Sequence, residues 1–204
     1  GAMGTMIQSY NLTESDFRGE RFKDVPGIMK GNNDVLNLTR PDIIREIHQK
    51  YLAAGADIIE TNTFSSQPIS MSDYHIAKYS NEITKAGCKI AREIADEFTA
   101  IDPTKPRFVA GSIGPTNKAC SISPDINNPA VRDISFDEMV HAYKLQMTEM
   151  LLCDVDAFLI ETIFDTLKAK AAIYAAEEAM NSIGKRIPLM LSATIADTGG
   201  RTLS

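Results

Sequence analysis

The sequence predicts an α/β protein built on a parallel β-sheet. Short apolar runs that favour strands alternate along the chain with longer segments of helical period. The runs are almost continuously hydrophobic, which is typical of strands that are covered on both faces. Because no Gly/Ser-rich linker or change of composition divides the chain, we expect one domain over residues 1–204.

Five apolar runs are predicted to be strands. Four of them are clear and one, at the start of the chain, is weaker. In chain order they are the weak run Ala2–Ile7 and the clear runs Ala56–Thr61, Arg107–Ser112, Asp156–Thr162 and Ile187–Ala193.

The helices predicted between these strands share a polar residue at the start and an apolar stripe along one face. They are a helix capped by Thr39 with Pro41 in its first turn and Gly55 as its stop, a stretch over 73–98, a helix opened by a Ser135 and Glu138 capping box, and a helix from Asp165 to Gly184.

Polar residues collect where the predicted strands end. Active sites of parallel α/β proteins form at this carboxyl edge of the sheet. The candidates are Glu60, Thr61, Ser112, Asn117, Glu161 and Ser192. Capping of the following helix is the alternative for any single Ser, Thr or Asn.

Two of these carboxylates raise separate questions. Glu161 is the strongest candidate, because a carboxylate beside Phe158 and Ile160 is costly to bury unless it meets a cation. Glu60 and Thr61 must face opposite sides of their strand, and counting residues does not decide which of them faces the pocket.

Charge and composition exclude several partner classes. The chain has 27 acidic against 21 basic residues and no basic run, which argues against a nucleic-acid partner. No apolar stretch approaches the roughly 20 residues that span a bilayer, so no membrane partner is expected. Three dispersed cysteines form no disulfide framework, which favours a reducing, cytoplasmic location.

Other motifs give weak signals. Gly111–Thr116 lacks the Lys-Ser/Thr of a phosphate-binding loop, and Pro115 removes an amide donor from it. His48 and His141 are predicted to be solvated surface residues. The three cysteines have no zinc-ligand spacing, and only Cys120 lies near the predicted pocket. The residues alone therefore predict a parallel α/β domain with a carboxylate-bearing pocket.

Seven segments resemble the homocysteine-binding domain of the cobalamin-dependent methionine synthases, in the same order and over residues 1–204. The segments are Gly1–Gln8, Asp16–Phe22, Lys30–Asp34, Ala54–Phe64, Gly114–Asn117, Ser123–Asp125 and Glu161–Leu167.

This resemblance implies a (β/α)8 TIM barrel, of which this chain holds about the first five βα units. It implies homocysteine at the carboxyl face, with Glu161 receiving the amino group, backbone amides around Gly1 and Ala2 receiving the carboxylate, and Thr61 lining the pocket. Asn117 and Ser192 are predicted pocket residues on position alone. In such enzymes a zinc ion held by three cysteines activates the thiol for attack on methylcobalamin, which is recharged from 5-methyltetrahydrofolate on another module.

The chain departs from the resemblance in its cysteines. Neither the Asn-Cys nor the Gly-Gly-Cys-Cys segment that holds zinc occurs before Ser204, and Cys88, Cys120 and Cys153 match no ligand position. We therefore expect no catalytic or metal-binding residue and no bound cofactor in this chain, which alone is predicted to be inactive. The expected partners are L-homocysteine and the cobalamin-binding and folate-binding modules of the same polypeptide.

Three alternatives stay open. The first is a homocysteine methyltransferase that uses betaine or S-methylmethionine instead of cobalamin. The second is an amino-acid-binding module without chemistry. The third, an aldolase-like barrel with a Schiff-base lysine, is disfavoured because no predicted strand ends in lysine.

Overall fold

A computed structural model of the protein describes residues 2–121, 127–128 and 130–195. Within these residues four strands form one parallel sheet in the order β1-β2-β3-β4. The strands are β1 (Ile58–Glu60), β2 (Phe108–Ile113), β3 (Ala157–Ile163) and β4 (Leu189–Ala193). The predicted parallel α/β class is confirmed, and closure into a barrel of eight strands stays a prediction.

The described chain also contains eight α-helices and two short 3-10 helices. The α-helices are α1 (Met3–Gln8), α2 (Glu14–Arg18), α3 (Leu36–Thr39), α4 (Pro41–Ala53), α5 (Pro68–Ser72), α6 (Ser80–Ile101), α7 (Phe136–Leu152) and α8 (Thr166–Ile183), and the 3-10 helices are Asn33–Val35 and Ala77–Tyr79. Among these helices, none is both long and apolar enough to cross a membrane.

The expected strand at the start of the chain is wrong. Residues Met3–Gln8 form a helix, so the described chain holds four strands instead of the five predicted. Met3, Met6, Ile7 and Tyr10 recur at a spacing of three and four residues, which places them on one helical face against the N-terminal core. This period fits a helix better than a strand.

Local signals at the other helices are mostly confirmed. The capping box of Ser135 and Glu138 opens α7, and the Asp165 side chain accepts hydrogen bonds from the first amides of α8. Thr39 is not the cap of α4, because it ends α3 and Arg40 takes the cap position.

Helices cover one face of the sheet. Val109, Phe158 and Ile160 are buried in a core that includes residues of α6, α7 and α8. Side chains alternate along a strand, so Ile58 and Phe108 lie on the other face, where both are about half exposed. A second core lies between the N-terminal helices and the start of α6. The uncovered face ends, at its carboxyl edge, in the candidate site.

Candidate functional site

A cavity of about 630 Å³ opens at the carboxyl edge of the sheet. Its walls come from the start of the chain, the loop before Asn33–Val35, the ends of β1, β2 and β3, and the segments that follow those strands. Six of the eight predicted site residues are among those that line it: Ala2, Glu60, Thr61, Ser112, Asn117 and Glu161. Of the other two predicted residues, Gly1 lies outside the described residues.

Ser192 is not brought to the cavity. It lies on the edge strand β4, where it is exposed, and does not appear among the described residues that line the cavity. It follows Met190 by two positions and therefore shares the face that carries Leu159 and Glu161. Ser192 thus occupies the expected face but lies beyond the wall of this cavity.

Glu161 and Ser112 form the central contact of the cavity. The Ser112 hydroxyl donates a hydrogen bond to Glu161 Oε1 at 2.5 Å, joining the ends of β2 and β3. Burial raises the pKa of Glu161 above its ordinary value, the Ser112 hydrogen bond lowers it, and the negative charge of Glu60 raises it. A carboxylate in this setting gains most from a cation that enters the cavity.

Thr61 supports the cavity from beneath. Its side chain is buried, its hydroxyl pairs with that of Thr63 at 2.6 Å, and its Oγ1 accepts a hydrogen bond from the Ser112 amide at 3.0 Å. Thr63 in turn donates to the Ser112 carbonyl at 2.8 Å. The hydroxyls of Thr61 and Thr63 therefore fix the position of Ser112, and through it the orientation of Glu161.

The loop before the first 3-10 helix supplies a wall that sequence reasoning missed. Asn32, Asn33 and Asp34 line the cavity, and the buried Asp34 carboxylate accepts a hydrogen bond from the Ser65 amide at 2.6 Å. Burial raises the pKa of Asp34 to about 7, although the Ser65 amide lowers it. Asn32 was a readable signal, because its side chain caps Asn33–Val35 by accepting from the Val35 amide.

Two asparagines fix this wall to the sheet. Asn37 donates to the Asn62 carbonyl at 2.7 Å and to the Ile83 carbonyl at 3.1 Å. Asn62 donates to Asn33 O at 2.8 Å and to Asn37 Oδ1 at 2.9 Å. Both side chains are buried, so their amide groups hold the loop, β1 and α6 in one arrangement.

Asn117 lies at the rim. It is exposed, and its side-chain amide donates to Asp73 Oδ2 at 2.5 Å, which links the segment after β2 to the end of α5. Asp73 also lines the cavity. The Asn117 amide is therefore engaged with the protein at the position where it was predicted to meet a ligand.

The lining of the cavity is acidic. Its described lining holds four carboxylic acids, namely Asp34, Glu60, Asp73 and Glu161, and no Lys, Arg or His. Such a site favours a ligand that carries a positive charge or several hydrogen-bond donors. It disfavours phosphate groups, in agreement with the weak phosphate-loop signal at Gly111–Thr116.

The described residues do not form a metal centre. Among residues 2–121, 127–128 and 130–195, no group of three or more His, Cys, Asp or Glu side chains is placed to hold a metal ion. Cys88, Cys120 and Cys153 are free and buried, and burial raises the pKa of each thiol. These residues do not fit the three-cysteine zinc site that the resemblance implies.

Of the two histidine predictions, one is confirmed and one is wrong. His141 is exposed on α7, as expected, but His48 is only 1% exposed and its Nε2 has no hydrogen-bond partner among the described residues. The expectation of a surface position for His48 is wrong because His48 follows Ile44 and precedes Leu52 by one helical turn each. That spacing puts it on the buried face of α4.

Comparison with known families decides what this cavity belongs to. The family model for homocysteine S-methyltransferases matches residues 1–204. The chain belongs to the homocysteine S-methyltransferase family. This membership agrees with the resemblance read from the sequence, since the homocysteine-binding domain of the cobalamin-dependent methionine synthases is a homocysteine S-methyltransferase domain.

Solved structures support the fold of this family member. The metallated form of the homocysteine methyltransferase MmuM from Escherichia coli is similar with a TM-score of 0.71 at 19% identity, and the match covers 100% of this chain and 66% of that one. The apo form of the same enzyme gives a TM-score of 0.63 at 19% identity, covering 100% and 62%. The chain therefore spans less than two thirds of the length of these structures.

Proposed function

We propose that this chain is the homocysteine-binding part of a methyltransferase that moves a methyl group from methylcobalamin to the thiol of L-homocysteine, making methionine. Methylcobalamin would be recharged from 5-methyltetrahydrofolate by other modules of the same polypeptide. The substrate assignment is supported mainly by the Glu161 carboxylate, which Ser112 orients in an acidic cavity of a homocysteine S-methyltransferase domain.

The cavity supports a specific division of roles. Homocysteine carries an ammonium group, a carboxylate and a thiol. The ammonium group would donate to Glu161, which is the charge-assisted contact that an acidic cavity favours. The amino acid's carboxylate would meet backbone amides near Ala2. The Ala2 amide itself donates to the Tyr51 hydroxyl at 2.9 Å, so these would be the neighbouring amides of Met3 and Gly4, which also line the cavity. Thr61 would act through Ser112 and not by direct contact with the substrate.

The zinc-dependent part of the reaction is not assigned to these residues. Enzymes that the chain resembles use zinc to make the thiolate, but the described residues provide no fitting ligand set. What this chain contributes is binding and orientation of the substrate. We therefore expect the chain alone to bind homocysteine weakly and to transfer no methyl group.

Titration calorimetry with L-homocysteine, with and without zinc, tests this function. We expect weak binding that zinc does not improve, and a loss of about tenfold or more in affinity for Glu161→Gln, since a charge-assisted hydrogen bond is removed. Asp57→Asn is a matched control, because it removes one carboxylate from the exposed amino end of β1. Tight zinc-independent binding would instead favour the amino-acid-binding module without chemistry.

The methyl donor needs its own experiment. Methyl transfer to homocysteine by the complete natural polypeptide is measured with methylcobalamin, with betaine and with S-methylmethionine in turn. We expect product only with methylcobalamin. Product with either of the other donors would replace the cobalamin assignment while leaving homocysteine as the acceptor.

A further inference from the structure

Glu60 shares a sheet face and a cavity with Glu161, which settles its orientation. In the sheet register Glu60 pairs with Ala110, and Ser112 follows Ala110 by two positions. Ser112 pairs with Leu159, and Glu161 follows Leu159 by two positions. Because side chains alternate along each strand, Glu60, Ser112 and Glu161 lie on the same face of β1, β2 and β3. All three line the cavity of about 630 Å³.

A second cavity next to Glu60 contains an unsatisfied buried donor or acceptor. This cavity measures about 70 Å³ and is lined by Met3, His48, Tyr51, Ile58, Ile59 and Glu60. His48 is 1% exposed, and no residue in the described part of the chain makes a hydrogen bond to its Nε2. A polar cavity of this volume has room for about two water molecules. Water there would join the His48 nitrogen to the carboxylate of Glu60, which borders both cavities.

We propose that Glu60 is a second positioning residue for the substrate's ammonium group, so that Glu60 and Glu161 together receive one primary ammonium across Ser112. This inference rests on the proposed function and extends it from one acceptor to two. A primary ammonium group has three N–H donors and no acceptor, so one carboxylate leaves donors unsatisfied in a cavity. A pair of carboxylates supplies the further acceptors that these donors need, while the Ser112 hydroxyl stays on Glu161.

The pair also gives a basis for specificity. Two carboxylates in one cavity repel each other, and the charge of Glu60 already disfavours the ionised form of Glu161. A ligand with a positive charge between them relieves this repulsion, whereas an analogue without the amino group cannot. Glu60 would therefore raise the preference for an amino acid over its desamino analogue, and not the affinity for every thiol.

Calorimetry with two ligands on the 204-residue chain tests the proposal. The ligands are L-homocysteine and 4-sulfanylbutanoic acid, which lacks only the amino group. Glu60→Gln keeps the shape of the side chain and removes its charge. We expect Glu60→Gln to lower the affinity for homocysteine about tenfold, because one charged hydrogen-bond acceptor is lost. The affinity for the desamino analogue should stay unchanged or improve. Glu60→Asp should give an intermediate loss.

The outcomes separate this proposal from the proposed function. Loss of the preference in Glu161→Gln but not in Glu60→Gln would overturn the role of Glu60 and leave Glu161 as the sole acceptor. Retention of the preference in both variants would overturn the ammonium site itself. Asp57→Asn, which lies on the same strand segment but outside the cavity lining, should leave the preference unchanged. Should Glu60→Gln not fold, equal affinities of wild type and Glu60→Asp for homocysteine would overturn the proposal.

Discussion

The ammonium group of Lys168 donates a hydrogen bond to the backbone carbonyl of Thr116 at 2.9 Å, joining the start of α8 to the segment after β2. The same ammonium lies 4.8 Å from the centroid of the Phe164 ring. Thr116 and Phe164 both line the large cavity, whereas Lys168 stands behind it and is 6% exposed. One buried cation therefore holds two parts of the cavity wall.

Replacing Lys168 should destabilise the protein and loosen this wall. Lys168→Met keeps most of the apolar part of the side chain but leaves the Thr116 carbonyl without its donor, which we expect to cost about 1–3 kcal/mol in the free energy of unfolding. Urea denaturation measures this loss. Lys168→Arg retains a cation and should recover part of it. Equal stability of wild type and Lys168→Met would show that the contact contributes nothing.

The glycine at position 87 should not tolerate a side chain. In the interior of an exposed helix, Gly→Ala stabilises by up to about 1 kcal/mol. Gly87 of α6 is an exception, because a Cβ there would lie 2.5 Å from Asn37 Nδ2 and 3.0 Å from Thr63 Cγ2. We expect Gly87→Ala to destabilise by about 1–3 kcal/mol, as overpacking does.

A double-mutant cycle checks the cause of that loss. Asn37→Ala removes the side chain that the new methyl group would meet, so the Gly87→Ala, Asn37→Ala double variant should be more stable than the sum of the single losses predicts. Additive losses would mean that the two positions do not interact.

Asp34 should make the protein less stable as the pH rises. Its pKa is raised to about 7 by burial, while an unfolded aspartate titrates near 3.9. Between these values the folded state holds a proton that the unfolded state has lost, so the free energy of unfolding falls with increasing pH from about 4 to 7. Asp34→Asn keeps an acceptor for Ser65 and removes the titration. We expect the free energy of unfolding of the variant, relative to that of wild type, to rise by a few kcal/mol as the pH rises from 4 to 8. Denaturation at each pH measures this difference.

His48 should act in the opposite direction over part of the same range. Burial lowers the pKa of His48 to about 4. Below about pH 6.5 the unfolded state therefore binds a proton that the folded state does not bind. The free energy of unfolding therefore falls as the pH drops from 6.5 to 4. His48→Gln removes this loss, and the stability of the variant relative to wild type should rise towards pH 4. Parallel pH profiles for the two proteins would contradict a buried, neutral imidazole.

The sequence predicts the parts of this fold that depend on neighbours in the chain. The Ser135 and Glu138 box opens α7 because both of its hydrogen bonds close within one turn. Asp165 caps α8 for the same reason. The apolar runs of β1 to β4 were also readable as strands from their near-continuous hydrophobicity. The cover on both faces that this pattern predicts is found on one face only of the described sheet, since Ile58 and Phe108 on the other face are about half exposed. The first helix was misread as a strand because a short apolar run is compatible with both periods.

The site depends more on contacts between distant residues. Glu161 was recognisable as a strand-end carboxylate, but its partner Ser112 lies 49 positions away. Asp34 is buried in the cavity wall, where the Ser65 amide donates to it from beyond β1. The direction of Glu60 follows from the register between β1 and β2, which a single strand does not encode. Site residues whose positions depend on the pairing of strands therefore cannot be predicted from the sequence of one strand alone.

Ser112 should tune the charge of Glu161 without touching the fold. Its hydroxyl donates to Glu161 and thereby opposes the rise in pKa that burial causes. Ser112→Ala should raise the pKa of Glu161 further, which favours the neutral acid that binds an ammonium group poorly. We expect homocysteine affinity to fall about three- to tenfold near neutral pH and to recover as the pH rises. Ser121→Ala, which removes a hydroxyl contact to Asp165 instead, should leave that pH profile unchanged. A pH-independent loss in Ser112→Ala would mean that Ser112 contacts the ligand directly and does not act through Glu161.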